Sequence, residues 1–163
     1  MTLRIEWGTI KAARAAGFED LLALHWEEVE FEHEKVPLSV NWRAYADLEA
    51  KGILRLLLAW RGDRLVGYSA WFVQPPLHHS LTLWAVNDVL YLDPAERKGR
   101  AGIALIRRGE QLLKQLGVRV ISYNVKPVRQ RTDLGYKRGR DSVGHLLQRL
   151  GYSKVEEAYA RYL

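Results

Sequence analysis

Three apolar runs follow one another at the centre of the chain and commit it to a fold built on a sheet. Residues 53–60 and 65–73 are of strand length, and Arg61-Gly62-Asp63-Arg64 between them suits a hairpin turn. Pro75-Pro76 breaks the chain, a third run covers 81–92, and Asp93-Pro94 ends it. Strands joined by such short turns pair antiparallel. The flanking segments are helical in period. Phe18, Leu21, Leu22, His25, Trp26 and Val29 form one stripe, Glu27, Glu28 and Glu30 fall largely off it, and Pro37 stops that helix. A second helix is expected over 41–51, closed by Gly52, and a third over 101–116 on Leu105, Ile106, Leu112 and Leu113. Gly109 lies on that last stripe and permits close approach to a sheet.

Leu3 to Trp7 alternates as a short strand, 118–125 has the composition of a buried strand, and 126–140 is expected as a loop. A short helix from Asp141 or Ser142 to Leu150 and a closing strand over 155–163 complete the chain. The order predicts one α/β domain over residues 1–163: a mixed, mostly antiparallel sheet with helices on both faces.

Composition narrows the chemistry. The chain has no cysteine, which excludes a disulfide framework, a thiol nucleophile and thiolate zinc sites. Arg4, Glu6 and Lys11 interrupt any apolar leader, and no segment approaches the ~20 apolar residues of a membrane span. The expected setting is the cytoplasm. The net charge of +6 is unevenly spread. Residues 19–49 carry nine acids against two cations, and residues 97–140 carry thirteen cations against two acids. The basic half predicts a polyanionic partner.

The segment from Asp88 to Ile106 holds the densest chemistry. A strand ends, a turn of small and basic residues comes next, and a helix opens on that turn. Successive amides and the positive helix end suit a pyrophosphate, with Arg97, Lys98 and Arg100 adding formal charge. Neither a P-loop nor a Gly-x-Gly-x-x-Gly fingerprint is present. Leu92-Asp93-Pro94 followed by Arg97-Lys98-Gly99-Arg100-Ala101-Gly102 resembles the signature of the GNAT-type N-acetyltransferase superfamily. Arg100 stands where that family has its central glycine, and Gly99 comes one place earlier. Leu146 to Tyr152 is similar to the family's late helix ending in Leu-Gly-Phe/Tyr. His25-Trp26-x-Glu28, Gly67-Tyr68, Pro75-x-Leu77-His78, Asp88 and Glu110 extend the likeness to a small phage-associated branch, which implies the host cytoplasm if the chain is phage-encoded.

The resemblance implies a sheet splayed at its cofactor strands and a site for acetyl-coenzyme A. Backbone groups near Leu90, Tyr91 and Leu92 would meet the pantetheine arm, and Lys98, Gly99, Arg100, Ala101, Gly102 and Ile103 the pyrophosphate. Asn124 at the following strand would join the cofactor site, and Arg97, Arg100, Lys126 or Arg129 would answer the 3′-phosphate. Acetyl transfer to an amine needs a base, and Asp88 is the first candidate, an acid within an apolar strand at the same parity as Leu90 and Leu92. Glu28 is second, on a helix that would border the acceptor, though its acidic neighbours also read as a solvated face. His78, beside His79 at a loop-to-strand junction, is a further base or acceptor contact, and His25 on the apolar stripe reads as core. For protonating the thiolate, Tyr152 and Tyr159 are the candidate substitutes, as are Tyr136 and a water, because Leu147 stands at the family's usual tyrosine position. No metal is expected: His78, His79 and Asp88 do not stand at a recognised ligand spacing.

The expected function is acetyl transfer from acetyl-coenzyme A to a primary amine by direct attack in a ternary complex. A competing reading is a nucleic-acid-binding or inhibitory protein on a catalytically degenerate fold of the same kind. The basic stretch 126–140, with Tyr136 among arginines and lysines, would then meet nucleic acid. Both readings combine in an acceptor linked to nucleic acid. Trp26, Trp42, Trp60, Trp71 and Trp84 would supply an apolar patch for a homodimer.

Overall fold

The computed structural model describes the chain apart from Met1, Phe31, Glu32, Pro127, Val128, Asp133, Leu134, Gly139, Arg140, Asp141, Glu157, Tyr159, Ala160, Tyr162 and Leu163. It divides into two compact units, Met1–Leu22 with Val40–Asn124, and Ala23–Ser39 with Val125–Leu163.

The first unit carries the sheet. Its elements are β1 (Leu3–Gly8), α1 (Ile10–Ala15), the start of α2 (Phe18–Val29), α3 (Trp42–Ala50), β2 (Leu54–Arg61), β3 (Arg64–Gln74), β4 (Trp84–Leu92), a 3-10 turn (Pro94–Glu96), α4 (Ala101–Gln115) and β5 (Val120–Tyr123). The strand order is β1-β2-β3-β4-β5, antiparallel except for the parallel β4–β5 pair. A parallel pair needs a long crossover, and α4 provides it. One face of the sheet takes α4: Leu57, Ala59 and Val66 pack with Leu105 and Leu112, and Trp71, Val73 and Ala85 with Leu113. On the opposite face Tyr68 receives Phe18 of α2 edge-on at 4.8 Å. Removing each of these large side chains from water contributes about 1.5–3 kcal/mol.

Helix α1 is an addition to the sequence reading. Thr9 caps it by accepting from the Ala12 N–H at 3.1 Å, and the Ile10 N–H donates to Glu49 Oε1 of α3 at 2.8 Å. Strand β4 begins at Trp84 and not at Leu81, which is fully exposed in the preceding turn. Trp71, counted toward an apolar surface patch, is 1% exposed and belongs to the core.

Two features of β3 and β4 shape the neighbouring surface. Gly67 lies opposite Leu92, where a Cβ would stand 2.7 Å from Leu92 Cδ1 and 2.8 Å from the Tyr91 carbonyl oxygen, so the strands close only on a glycine. Further along, Ala70 pairs with Val89 and Trp71 with Asn87, leaving Asp88 as an extra residue in a β-bulge. The bulge breaks the alternation on which the expected parity of Asp88 with Leu90 and Leu92 rests.

The second unit contains the rest of α2, strands β6 (Arg129–Thr132) and β7 (Gly135–Arg138), and α5 (Ser142–Arg149). Stretch 126–140, expected as a loop, contains an antiparallel hairpin in which Arg129 pairs with Arg138 and Arg131 with Tyr136. A two-stranded ribbon needs no apolar face, so hydropathy gives no sign of it. The closing strand expected over 155–163 is not formed at Val155, Glu156, Ala158 or Arg161, and its other residues lie outside the described set. Tyr159 lies there too, and the side chains of Arg129 and Tyr136 are likewise outside it.

Candidate active site

Strand β4, the turn after it and the first turn of α4 bring most of the expected cofactor residues into one continuous segment of the first unit. Strand β5 pairs with β4 only from Trp84 to Asn87, opposite Val120 to Tyr123. Beyond the bulge, Leu90, Tyr91 and Leu92 continue without a β5 partner. The expected splay therefore starts where the extra residue lies. Asn124, exposed, comes directly after the end of β5.

The turn is fastened from the β2–β3 hairpin. Arg61 donates to Glu96 Oε2 from Nη2 at 2.7 Å and from Nε at 3.3 Å. Arg64 reaches Glu96 Oε1 at 3.2 Å and Asp93 Oδ2 at 3.1 Å. Asp93 Oδ1 in turn accepts from the Ala95 N–H at 2.9 Å, capping the 3-10 turn. The hydrogen bond from Arg61, ahead of the other charges, holds the Glu96 carboxyl below the ordinary carboxylate range. A depressed folded value means that this contribution is complete above the unfolded value, about 4.3, and is lost as pH falls through the folded one. Melting temperature is thus expected to fall more steeply from about pH 5 to about pH 3 in the native chain than in Glu96→Gln. Equal slopes in thermal melts would show that the knot has no thermodynamic weight.

Arg97 is exposed, donates from Nε to the Leu92 carbonyl at 2.8 Å and lies over the Tyr91 ring at 5.1 Å. That bond engages one of the backbone acceptors expected to serve the pantetheine arm. Lys98, Gly99 and Arg100 are exposed, and Gly99 has φ +99°, a turn conformation that favours glycine. Helix α4 has Arg100 at its N-cap, no side-chain cap and no acid in its first turn. At Gly102, in that turn, an added Cβ would meet nothing within 4 Å. Ala101, Gly102 and Ile103 are half-buried. Open space, amides without a side-chain cap and flanking cations fit a pyrophosphate.

Asp88 is exposed at the bulge. The bulge reverses its parity relative to Leu90 of the α4 face, toward the side where Phe18 meets Tyr68, and its charge acts on Tyr45 of α3 and Tyr68 of β3. Burial first, and then Asp88, raises the Tyr45 phenol above its ordinary value. The Tyr68 phenol is raised further, by burial and then by Tyr45, Asp88 and Tyr91. Tyr91 faces Tyr68 across the strands at 6.3 Å, and Trp42 lies 5.9 Å from Tyr45. Aromatic residues of α3, β3 and β4 thus lie within the electrostatic reach of the acid. Neither tyrosine is a candidate on sequence grounds, because the two adjacent polar residues at 87 and 88 do not say to which face the bulge turns Asp88. His78 is exposed in the turn before β4, and its neighbour His79 stacks on Trp84 at 6.0 Å.

Three candidates belong to the second unit. Glu28 is half-buried on α2, and Tyr152, also half-buried, donates its backbone N–H to the Leu147 carbonyl at 3.0 Å. Lys126, expected at a phosphate, is held by Glu30 at 2.6 and 2.8 Å. His25 is buried, as a core residue would be.

No protein-family model matches the chain, and no curated protein matches it either. Solved structures do. An aminoglycoside acetyltransferase from an uncultured soil metagenomic sample is 16% identical, with a TM-score of 0.71 over 100% of this chain and 99% of that one. A ribosomal-protein-alanine N-acetyltransferase from Brucella melitensis biovar Abortus 2308 is 15% identical, with a TM-score of 0.68 over 99% of both chains. A predicted acetyltransferase from Clostridium acetobutylicum, solved with acetyl-CoA, is 12% identical, with a TM-score of 0.64 over 99% of this chain and 96% of that one. At such identities the likeness defines architecture: the chain has the mixed α/β fold of the GNAT acetyltransferases.

Proposed function

We propose that this protein is an acetyl-coenzyme A-dependent N-acetyltransferase that acts on a primary amine. The observation that carries the reading is the segment from the bulge to α4, where β4 parts from β5, turns over Gly99 and opens a helix without a side-chain cap. Leu90 and Tyr91 would meet the pantetheine arm, and Lys98 to Ile103 the phosphates, with Arg97 and Arg100 adding charge. Leu92 would contribute its N–H, since its carbonyl serves Arg97. When bound, acetyl-coenzyme A supplies an acyl group already activated as a thioester. The chain's own part is to remove the proton that an ammonium must lose before its lone pair can attack. Asp88 is the base for that step, exposed at the bulge with its charge acting on Tyr45. Glu28 and His78 are the secondary candidates for acceptor contact, and Tyr152 for returning a proton to sulfur. Such an enzyme would work in the cytoplasm, where its thioester donor is made.

A second reading concerns the acceptor. Stretch 126–140 carries six cations against one acid, Asp133, an excess of charge that calls for a counter-ion. A phosphate backbone would supply one, which favours an acceptor linked to nucleic acid. The phage-associated likeness rests on the sequence motifs alone.

Thermal melting with coenzyme A tests the main reading. At a hundredfold excess over Kd, stabilisation of about 2.7 kcal/mol is expected. No shift at millimolar coenzyme A would defeat it.

A further inference from the structure

Asn87 is 1% exposed in the interior of β4, where asparagine is ordinarily depleted. The two hydrogens of its Nδ2 are shared among Ser69 Oγ at 2.9 Å, the Ala70 carbonyl at 3.1 Å and the Val89 carbonyl at 2.8 Å. Ser69, equally buried, donates from Oγ to the same Val89 carbonyl at 3.1 Å. Two carbonyl oxygens beside one atom identify it as the amide nitrogen, since carbonyls only accept and the amide oxygen cannot donate. Ala70 and Val89 are the ladder pair on one side of the bulge, and Trp71 and Asn87 the pair on the other. The amide therefore ties the ladder together across the residue it skips. A regular ladder needs no side-chain donor here, because its carbonyls meet strand amides. An inserted residue disrupts that pairing.

We propose that Asn87 and Ser69 lock the β4 bulge and thereby hold the Asp88 carboxylate on the face of Tyr45 and Tyr68, which makes both of them positioning residues for amine acetylation. The inference rests on the role of Asp88 proposed above. Without the lock the strand can return to alternation, and position 88 then falls on the side of Leu90 and α4, away from the tyrosines.

A kinetic cycle tests the catalytic consequence, with Asn87→Val, Asp88→Asn and their combination compared in steady-state acetylation and folding checked by circular dichroism. Asn87→Val is expected to lower kcat by about tenfold or more. Its KM for acetyl-coenzyme A should stay within about twofold, and it should cause no further loss in the Asp88→Asn background. An equal loss in both backgrounds would overturn the proposal, because damage to folding alone is indifferent to the residue at 88. Should Asn87→Val fail to fold, Ser69→Ala, which removes one member of the network, replaces it in the same cycle. A second readout needs no turnover. The chain has no cysteine, so Asp88→Cys introduces a single thiol at the bulge. Adding Asn87→Val should slow its modification by Ellman's reagent about fivefold, as the position turns toward α4. An unchanged rate overturns the lock regardless of catalysis. A slowed thiol together with a fully active Asp88→Asn would sustain the lock and remove Asp88 as base.

Discussion

Asp88→Asn is expected to lower turnover by about two to four orders of magnitude, the usual loss when a positioned general base is removed. KM for acetyl-coenzyme A should remain within about twofold, because the substitution leaves Lys98 to Ile103 untouched and removes the group proposed for the proton step. The amide keeps the shape of the carboxylate and loses its charge, which separates the proton role from packing. An independent spectroscopic sign accompanies the kinetic one. The Asp88 charge raises the Tyr45 phenol, so its removal should bring that phenol back toward the ordinary range, while burial keeps it above. Carbon NMR of labelled tyrosine ring carbons reads this without turnover. Full activity in Asp88→Asn across the pH range would mean that Glu28, His78 or solvent takes the proton.

Gly102→Asp should separate stability from binding more sharply than any core substitution. A side chain there meets nothing within 4 Å, and α4 lacks both a side-chain cap and an acid in its first turn. A carboxylate at that positive helix end typically stabilises by about 0.3–1 kcal/mol, so the melting temperature should hold or rise. The same carboxylate would stand where the pyrophosphate is proposed to lie. Like-charge juxtaposition costs several kcal/mol, and each 1.4 kcal/mol is about tenfold, so coenzyme A affinity should fall about a hundredfold or more. Gly102→Ala is the companion, adding volume without charge and contributing up to about 1 kcal/mol of helix propensity. Calorimetric titration alongside thermal melting checks both. Native affinity in Gly102→Asp would put the phosphates elsewhere.

How much of the fold is legible in the sequence depends on the range over which each pattern runs. The β2–β3 hairpin and α4 stand out because their apolar positions repeat over many residues around Gly62 and Gly109. The strand-turn-helix segment is legible for the same reason, with Pro94 and Gly99 marking its corners. Short or polar elements escape. Helix α1 is one and a half turns, signalled only by Thr9 and the spacing of Ile10 and Ala13. The β6–β7 hairpin is too cationic to show an apolar alternation. The site itself is half legible. Asp88 is visible as an acid in an apolar strand, but its direction is not, since one extra residue reverses the face to which parity assigns it. Two consecutive polar residues, Asn87 and Asp88, are the only trace of that insertion in the sequence.

The bulge also bears on how this protein can be improved. Wherever it skips a residue, β4 gives up ladder pairing that a regular strand would keep. Shortening the strand by one residue, or lining positions 69 and 87 with aliphatics, would heal the sheet. If the bulge places Asp88 as proposed, screens that reward heat resistance alone will drift toward a tidier and sturdier protein without that placement. Engineering for robustness belongs on the hairpin tips and the exposed turns, with the irregular stretch of β4 held fixed.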